Sequence, residues 1–146
     1  ELIVAFLDMV ENHKMVVENS GLLTVAALKH LDVKNKKIVS VLSGGNMDVI
    51  TMSSVVQFGL IQRDRIFTVS VLLPDSPGEL TKVSAVIAKM QGNVIKLEHN
   101  QFISTNRSKA VELKITMEAF GTEHKNQIVK ALEESGYKPR VIRANP

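Results

Sequence analysis

Cysteine is absent from the 146 residues, which excludes disulfides, thiolate metal sites and a cysteine nucleophile, and fits a cytoplasmic protein. Aromatic residues are scarce, at 4%, a poor supply for the stacking by which single-stranded RNA is bound. Long apolar runs are missing too. Ile66 to Leu73 is among the longest, and it is far too short for a bilayer, which takes about 20 residues of helix. The chain opens on Glu1 without the basic start, apolar core and small-residue cleavage site of a secretory signal. Lacking an initiating Met, it is expected to be a piece of something longer. The formal net charge is only +3 and the pI near 9.2. Lys and Arg are scattered among Asp and Glu with no dense basic block, which points to a mixed, solvated surface rather than a nucleic-acid footprint.

What is present is a globular composition, 45% hydrophobic and 23% charged, of a length that holds one ordinary domain or two small ones. Residues 1–62 read as alternating helix and strand. Ile3, Phe6, Leu7 and Val10 follow a helical spacing within Glu1 to Lys14. Met15 to Val17 is a short β-type run, and Leu22 to Leu31 a strong helix former. Ile38-Val39-Ser40-Val41-Leu42 has the near-continuous β-branched character of a strand buried on both faces. Ser43-Gly44-Gly45-Asn46 breaks it, and Met47 to Ile61 returns to helical periodicity. The alternation indicates an α/β unit with parallel strands. Two strands are too few for a sheet covered on both faces, so the segment is expected to be the end of a larger domain. Gln62 to Arg65 forms a short charged joint.

Residues 66–146 change style. Phe67, Val69, Val71 and Leu73 alternate with other residues, which predicts a strand with one apolar face. Leu80, Val83, Ile87 and Met90 make a helical stripe, with Gly92 expected as its C-terminal cap. Val94 to Gln101 reads as a second strand and Ser104 to Ser108 as a polar turn. Val111 to Met117 reads as a third strand, with a helix carrying Ile128 and Leu132 after Gly121, a stop at Gly136, and a last strand over Tyr137 to Arg143. The order βαββαβ predicts an α+β, ferredoxin-like antiparallel sheet with both helices on one face. The other face then needs a polar surface or the cover of a partner.

The run Leu73-Pro74-Asp75-Ser76-Pro77-Gly78-Glu79-Leu80 resembles the ligand loop of ACT domains, regulatory modules that sense amino acids, usually at a subunit interface. Gly92-Asn93-Val94 is similar to that family's other recurrent patch. The resemblance implies an effector site made of Asp75, Ser76, Pro77, Gly78, Glu79, Leu80, Asn93 and Val94. It also implies a homodimer or higher homo-oligomer formed through the sheet. The chemistry agrees: unpaired amides at a helix start suit an α-carboxylate, and Asp75 suits an α-ammonium group. Gly78 is expected to permit close backbone approach. The bend alone also reads as an ordinary helix start, with a Pro-set turn and Asp75 or Ser76 as cap.

The first segment has its own resemblance. Val17-Glu18-Asn19-Ser20-Gly21, the helix after it, and Ser40 to Asp48 look like the end of the catalytic domain of threonine dehydratases, pyridoxal-phosphate enzymes of fold type II. That resemblance implies a cofactor set of Ser43, Gly44, Gly45 and Glu18, with the Ser43 hydroxyl at the pyridine nitrogen. A neutral hydroxyl there leaves the ring nitrogen free of a forced proton and suits loss of a β-hydroxyl. By itself, Ser-Gly-Gly-Asn is equally an ordinary strand-to-helix turn with Asn46 as N-cap. The family's Schiff-base lysine and phosphate loop have no counterpart in the 146 residues. Together the two resemblances imply the C-terminal region of a threonine ammonia-lyase: residues 1–62 the remnant of the catalytic domain, residues 66–146 an ACT domain.

Other chemistry finds no motif. His13, His30, His99 and His124 lack metal-ligand spacing, and no nucleophile elbow or P-loop occurs. The βαββαβ order is shared with RNA-recognition motifs, but the third strand carries no aromatic residue. A ligand-free dimerisation module is the remaining alternative. Mixed with pyridoxal phosphate and L-threonine, the chain is expected to form no 2-oxobutanoate in a keto-acid assay; measurable turnover would refute its reading as a fragment.

Overall fold

The computed structural model describes residues 1–100 and 111–142 of the chain. Gln101, the turn expected at Ser104 to Ser108, Ala110 and Arg143 lie outside the described residues. The chain divides into two compact units between Gln62 and Arg63.

The first unit is built on helices. Leu2–Asp8 forms α1, extended by a π-helical turn over Met9–His13; Leu23–Ala27 forms α2 between short 3₁₀ segments; and Val49–Gln62 forms α3. Phe6, Leu22, Ala26 and Val55 are buried in its core, with Val17 beside them. α3 starts later than Asn46 because Asp48 is its cap. The Asp48 carboxylate accepts from the Thr51 amide at 2.9 Å and from the Thr51 hydroxyl at 2.5 Å. Those hydrogen bonds hold its carboxyl below the usual carboxylate range. Met15 to Val17 and Ile38 to Leu42, expected as strands, form none. A strand buried on both faces needs hydrogen-bonded neighbours and two covering layers, and this unit supplies neither. Val39 is accordingly 89% exposed.

The second unit has the predicted order. Ile66–Leu73 (β1), Glu79–Lys89 (α4), Asn93–Asn100 (β2), Val111–Glu118 (β3), Thr122–Glu134 (α5) and Arg140–Ile142 (β4) follow one another. The sheet is antiparallel in the order β2-β3-β1-β4. This is the ferredoxin-like topology that the ACT resemblance implies. Alternation sends Phe67, Val69, Val71 and Leu73 of β1, with Leu113, Ile115 and Met117 of β3, into one core. Val83 and Ile87 of α4 and Ile128 and Leu132 of α5 close it.

The opposite face is polar and largely satisfies itself. Thr68 and Thr116 hydroxyls hydrogen-bond at 2.9 Å, Ser70 donates to Glu112 at 2.5 Å, and Lys96 pairs with Glu98 at 2.7 Å. Leu72, paired with Glu112, is a large apolar residue exposed on this otherwise mainly polar face.

Gly92 serves α4 differently from a left-handed cap. Gln91 takes the positive φ, at 61°, and Gly92 donates to the Ile87 carbonyl at 3.0 Å. A Cβ on Gly92 would stand 2.8 Å from Ile87 Cγ2 and 3.2 Å from Ile128 Cδ1. The residue is small because two helices converge there. Gly136, with φ 89°, is the left-handed stop predicted for α5.

Asp64 ties the entry of this unit to α5. Its carboxylate accepts from the Thr122 hydroxyl and the Lys125 ammonium, both at 2.8 Å. Burial pushes the Asp64 carboxyl up, but the bonds from Lys125 and Thr122 and the Lys125 charge outweigh it and hold the group low. A carboxyl lowered on folding adds stability above its unfolded pKa, about 3.9, and gives it up as pH falls through the folded value. Asp64→Asn is therefore expected to lose about 1 kcal/mol at pH 7 in urea unfolding. The loss should vanish at pH below the folded pKa, and an equal loss at every pH would disprove the charge argument.

Candidate functional site

The Asp75–Leu80 bend is set by local chemistry. Pro77 fixes the first central position of a β-turn and Gly78 the second, with φ 91° and ψ −11°, the dihedrals of a type II turn. Glu79 closes it by donating to the Ser76 carbonyl at 3.4 Å. Gly78 is needed for its left-handed backbone and not for close approach, since a Cβ there would meet nothing within 4 Å. No side chain caps α4, so neither Asp75 nor Ser76 is its cap. The Leu80 and Thr81 amides lack the carbonyl acceptors that a helix interior supplies.

A cleft of about 330 Å³ opens beside this bend, lined by residues 73–80 and by His99. Its apolar wall is Leu73 and Leu80; its polar groups are Asp75, Ser76 and the imidazole. Glu79 is already engaged by Lys82 at 2.6 Å. That hydrogen bond raises the pKa of the Lys82 ammonium.

Six of the eight residues expected to hold an effector are thus gathered at one place. Asn93 and Val94 are not among them. They begin β2, opposite Glu118 and Met117, whereas the cleft meets β2 near its other end, at His99. Asn93 donates to Glu118 at 2.8 Å. Leu73 lines the cleft and Val94 does not. A lone histidine carries no spacing signal, and the irregularity between Val94 and Lys96 hides the helix-side register of His99 from the sequence.

A second cluster lies in the first unit. Glu18, Ser43, Gly44 and Gly45 come together although 25 residues of chain separate Glu18 from Ser43 in sequence (43 − 18). Gly21 makes this possible, for any Cβ there would collide with the Ser43 carbonyl oxygen. The Glu18 amide donates to the Gly44 carbonyl at 3.2 Å. The Glu18 carboxylate accepts from the Ser20 hydroxyl at 2.5 Å and from the Asn46 amide at 3.3 Å. Gly44, at φ 83°, lies under that carboxylate, and a Cβ on it would stand 2.5 Å from Glu18 Cδ. An exposed Ser43 hydroxyl beside two glycines fits the pyridine-nitrogen end of pyridoxal phosphate. Neither a phosphate cradle nor an amine for the aldehyde belongs to the cluster, so it does not fit the whole cofactor.

A larger cleft, about 620 Å³, runs between the end of α4 and the start of α5. His124 dominates it and is fully engaged. Its Nε2 donates to the Met90 carbonyl at 2.6 Å, which leaves Nδ1 to accept from the Phe120 amide at 3.1 Å. Phe120 stacks on the same ring, with centroids 4.8 Å apart. The imidazole fastens two helices and has no hydrogen-bonding capacity to spare, so size alone does not make this cleft the better site.

Among the described residues, no group of three or more His, Asp or Glu could hold a metal ion, and no helix is long and apolar enough to cross a membrane.

No family model matches the chain. It is 31% identical over 143 residues to an L-threonine ammonia-lyase of Thermotoga maritima, which covers 97% of this chain and 36% of that protein. It is 33% identical over 145 residues to the L-threonine ammonia-lyase of Geobacter sulfurreducens, covering 98% and 36%. A biosynthetic L-threonine dehydratase of Pasteurella multocida is 26% identical over 141 residues, covering 94% and 26%. Among solved structures, prephenate dehydratase from Streptococcus mutans matches at a TM-score of 0.45 and 19% identity, over 53% of this chain and 41% of that one, too loosely to add to the strand order. The chain spans about a third of the length of the curated relatives it matches, and over nearly all of its own length it is a homologue of part of the threonine ammonia-lyases.

Proposed function

We propose that the chain is the C-terminal regulatory region of a threonine ammonia-lyase, and that its second unit is an ACT domain whose Asp75–Leu80 cleft binds an amino-acid effector. The observation that carries this reading is the cleft itself. At about 330 Å³ it lies at the small end of ligand sites, about 300–1,000 Å³, a size suited to a single amino acid. Its donors and acceptors divide as a zwitterion requires. The Asp75 carboxylate takes the α-ammonium group, and the uncapped first turn of α4 offers amides and a positive dipole end to the α-carboxylate. Leu73 and Leu80 favour an aliphatic side chain, so isoleucine and valine are the effectors of choice.

In the parent protein, an enzyme of the cytoplasm, the reaction would be deamination of L-threonine to 2-oxobutanoate and ammonia, feeding isoleucine synthesis, with serine as a second substrate. Pyridoxal phosphate would supply the electron sink for that reaction. Ser43 would meet its ring nitrogen, with Gly44, Gly45 and Glu18 shaping the turn beside it. The parts of the cofactor site missing from this cluster would come from the remaining two-thirds of the protein. Effector binding would shift the catalytic domain between states to the extent that its affinity differs between them.

Self-association is part of the proposal. Cover is wanted at the β2 edge, where Val94, Ile95 and Leu97 are all exposed and no further strand pairs among the described residues. A second copy of the chain is expected to pair there. Sedimentation velocity should show a dimer or larger species, and a monomer persisting at high concentration would contradict it.

Calorimetry across the twenty amino acids tests the sensor directly. Isoleucine or valine should bind, and Asp75→Asn should weaken that binding roughly tenfold or more, as expected for loss of a charged hydrogen bond. Heat from no amino acid at all would favour a ligand-free dimerisation module.

A further inference from the structure

His99 stands where the pattern of its strand calls for an apolar residue. It pairs with Leu113 of β3, which in turn pairs with Val71 of β1. Both partners are fully buried under the helices. Paired residues share a face, so His99 is directed to the helix side of the sheet. A β-bulge between Val94 and Lys96 sets this phase. Beyond it Leu97 and His99 take the helix side, while Lys96 and Glu98 pair on the polar side.

At His99 the cover of the core gives way to the bend, and the imidazole becomes the β2 contribution to the 330 Å³ cleft. Among the described residues it has no hydrogen bond or ion pair, in contrast to His30, which is bonded to Glu1, and His124, which is held at both nitrogens. The Asp75 carboxylate in the same cleft has no described partner either. Two complementary polar groups thus border one small cavity, each with unused bonding capacity. Glu79, the other charged residue lining the cleft, is held by Lys82 at 2.6 Å.

We infer that His99 is a recognition residue of the cleft, donating a ring N–H to the α-carboxylate of an amino acid whose α-ammonium group is held by Asp75. This rests on the cleft being an amino-acid site, and it assigns the carboxylate end a side chain in addition to the first-turn amides of α4. No bond is made or broken. The imidazole supplies a ring N–H donor to a carboxylate oxygen, which the carbonyl-type acceptors of the bend cannot do.

The test is a binding cycle on the full 146-residue chain, with L-isoleucine and L-isoleucinamide as probes and His99→Ala and His99→Gln as variants. The amide keeps the ammonium group and side chain but has no carboxylate. The wild-type chain should bind isoleucine at least tenfold more tightly than the amide. His99→Ala should lose most of that preference while binding the amide as the wild type does. His99→Gln, which keeps an N–H donor, should recover part of it. A preference that survives in His99→Ala overturns the inference and leaves the sensor reading standing. A wild-type chain that binds neither probe nor any other amino acid overturns both. Circular dichroism of each variant guards against misfolding, and an unfolded His99→Ala passes the decision to His99→Gln, whose preference for isoleucine over the amide should fall below that of the wild type; an unchanged preference overturns the inference.

Discussion

The docking of α4 onto β1 and β3 is the contact on which the second unit depends. Val83 and Ile87 present one helical stripe to Val69, Val71, Leu113 and Ile115, and all of these are essentially without solvent exposure. Because that stripe must lie over the centre of the sheet, the chain leaving Leu73 has only residues 74–78 in which to turn and climb onto the helix face. Pro77 and Gly78 make the turn, at the expense of side-chain capping for α4. The cleft is the space left under that short path. Its polar character follows from the same geometry, since a bend too short to bury its own backbone leaves amides and the Asp75 carboxylate at the rim.

The first unit shows that strand propensity alone builds no sheet. Ile38, Val39 and Val41 have strand propensity, yet propensity for a pleated, half-buried surface has no effect where no neighbouring strand exists. Those side chains are exposed. The Glu18 carboxylate nonetheless holds Ser20, Asn46 and the Gly44 turn together, and that local knot needs no sheet to form. Strand structure, which needs neighbouring strands, does not form in this unit, whereas local contacts do.

Much of the second unit was legible because its signals are local. Period-two alternation in β1 and β3 and the stripe from Val83 to Ile87 each follow from burial of one face, and they suffice for the element order. The bend was legible from Pro77-Gly78 for the same reason. What was not legible depends on neighbours distant in sequence. Gly92 looked like a left-handed cap, but its small size answers to Ile87 and Ile128, and only the packing of two helices shows that. Asn93 and Val94 follow closely after α4, yet antiparallel pairing carries them to the Glu118 end of the sheet, far from Leu80. His99 joins the cleft through a bulge that shifts the phase of β2, and His124 bridges Met90 to Phe120 across 34 residues (124 − 90). Neither role is written in the spacing of the histidines.

Backbone amide shifts on addition of L-isoleucine probe the central claim most directly, because two clefts and the Ser43 turn compete as sites in one experiment. The account predicts the largest changes at Ser76, Gly78 to Leu80 and His99, with little at Phe120 to His124 or at Ser43 to Gly45. Changes concentrated at either of those other places, or no change at saturating isoleucine, would contradict it.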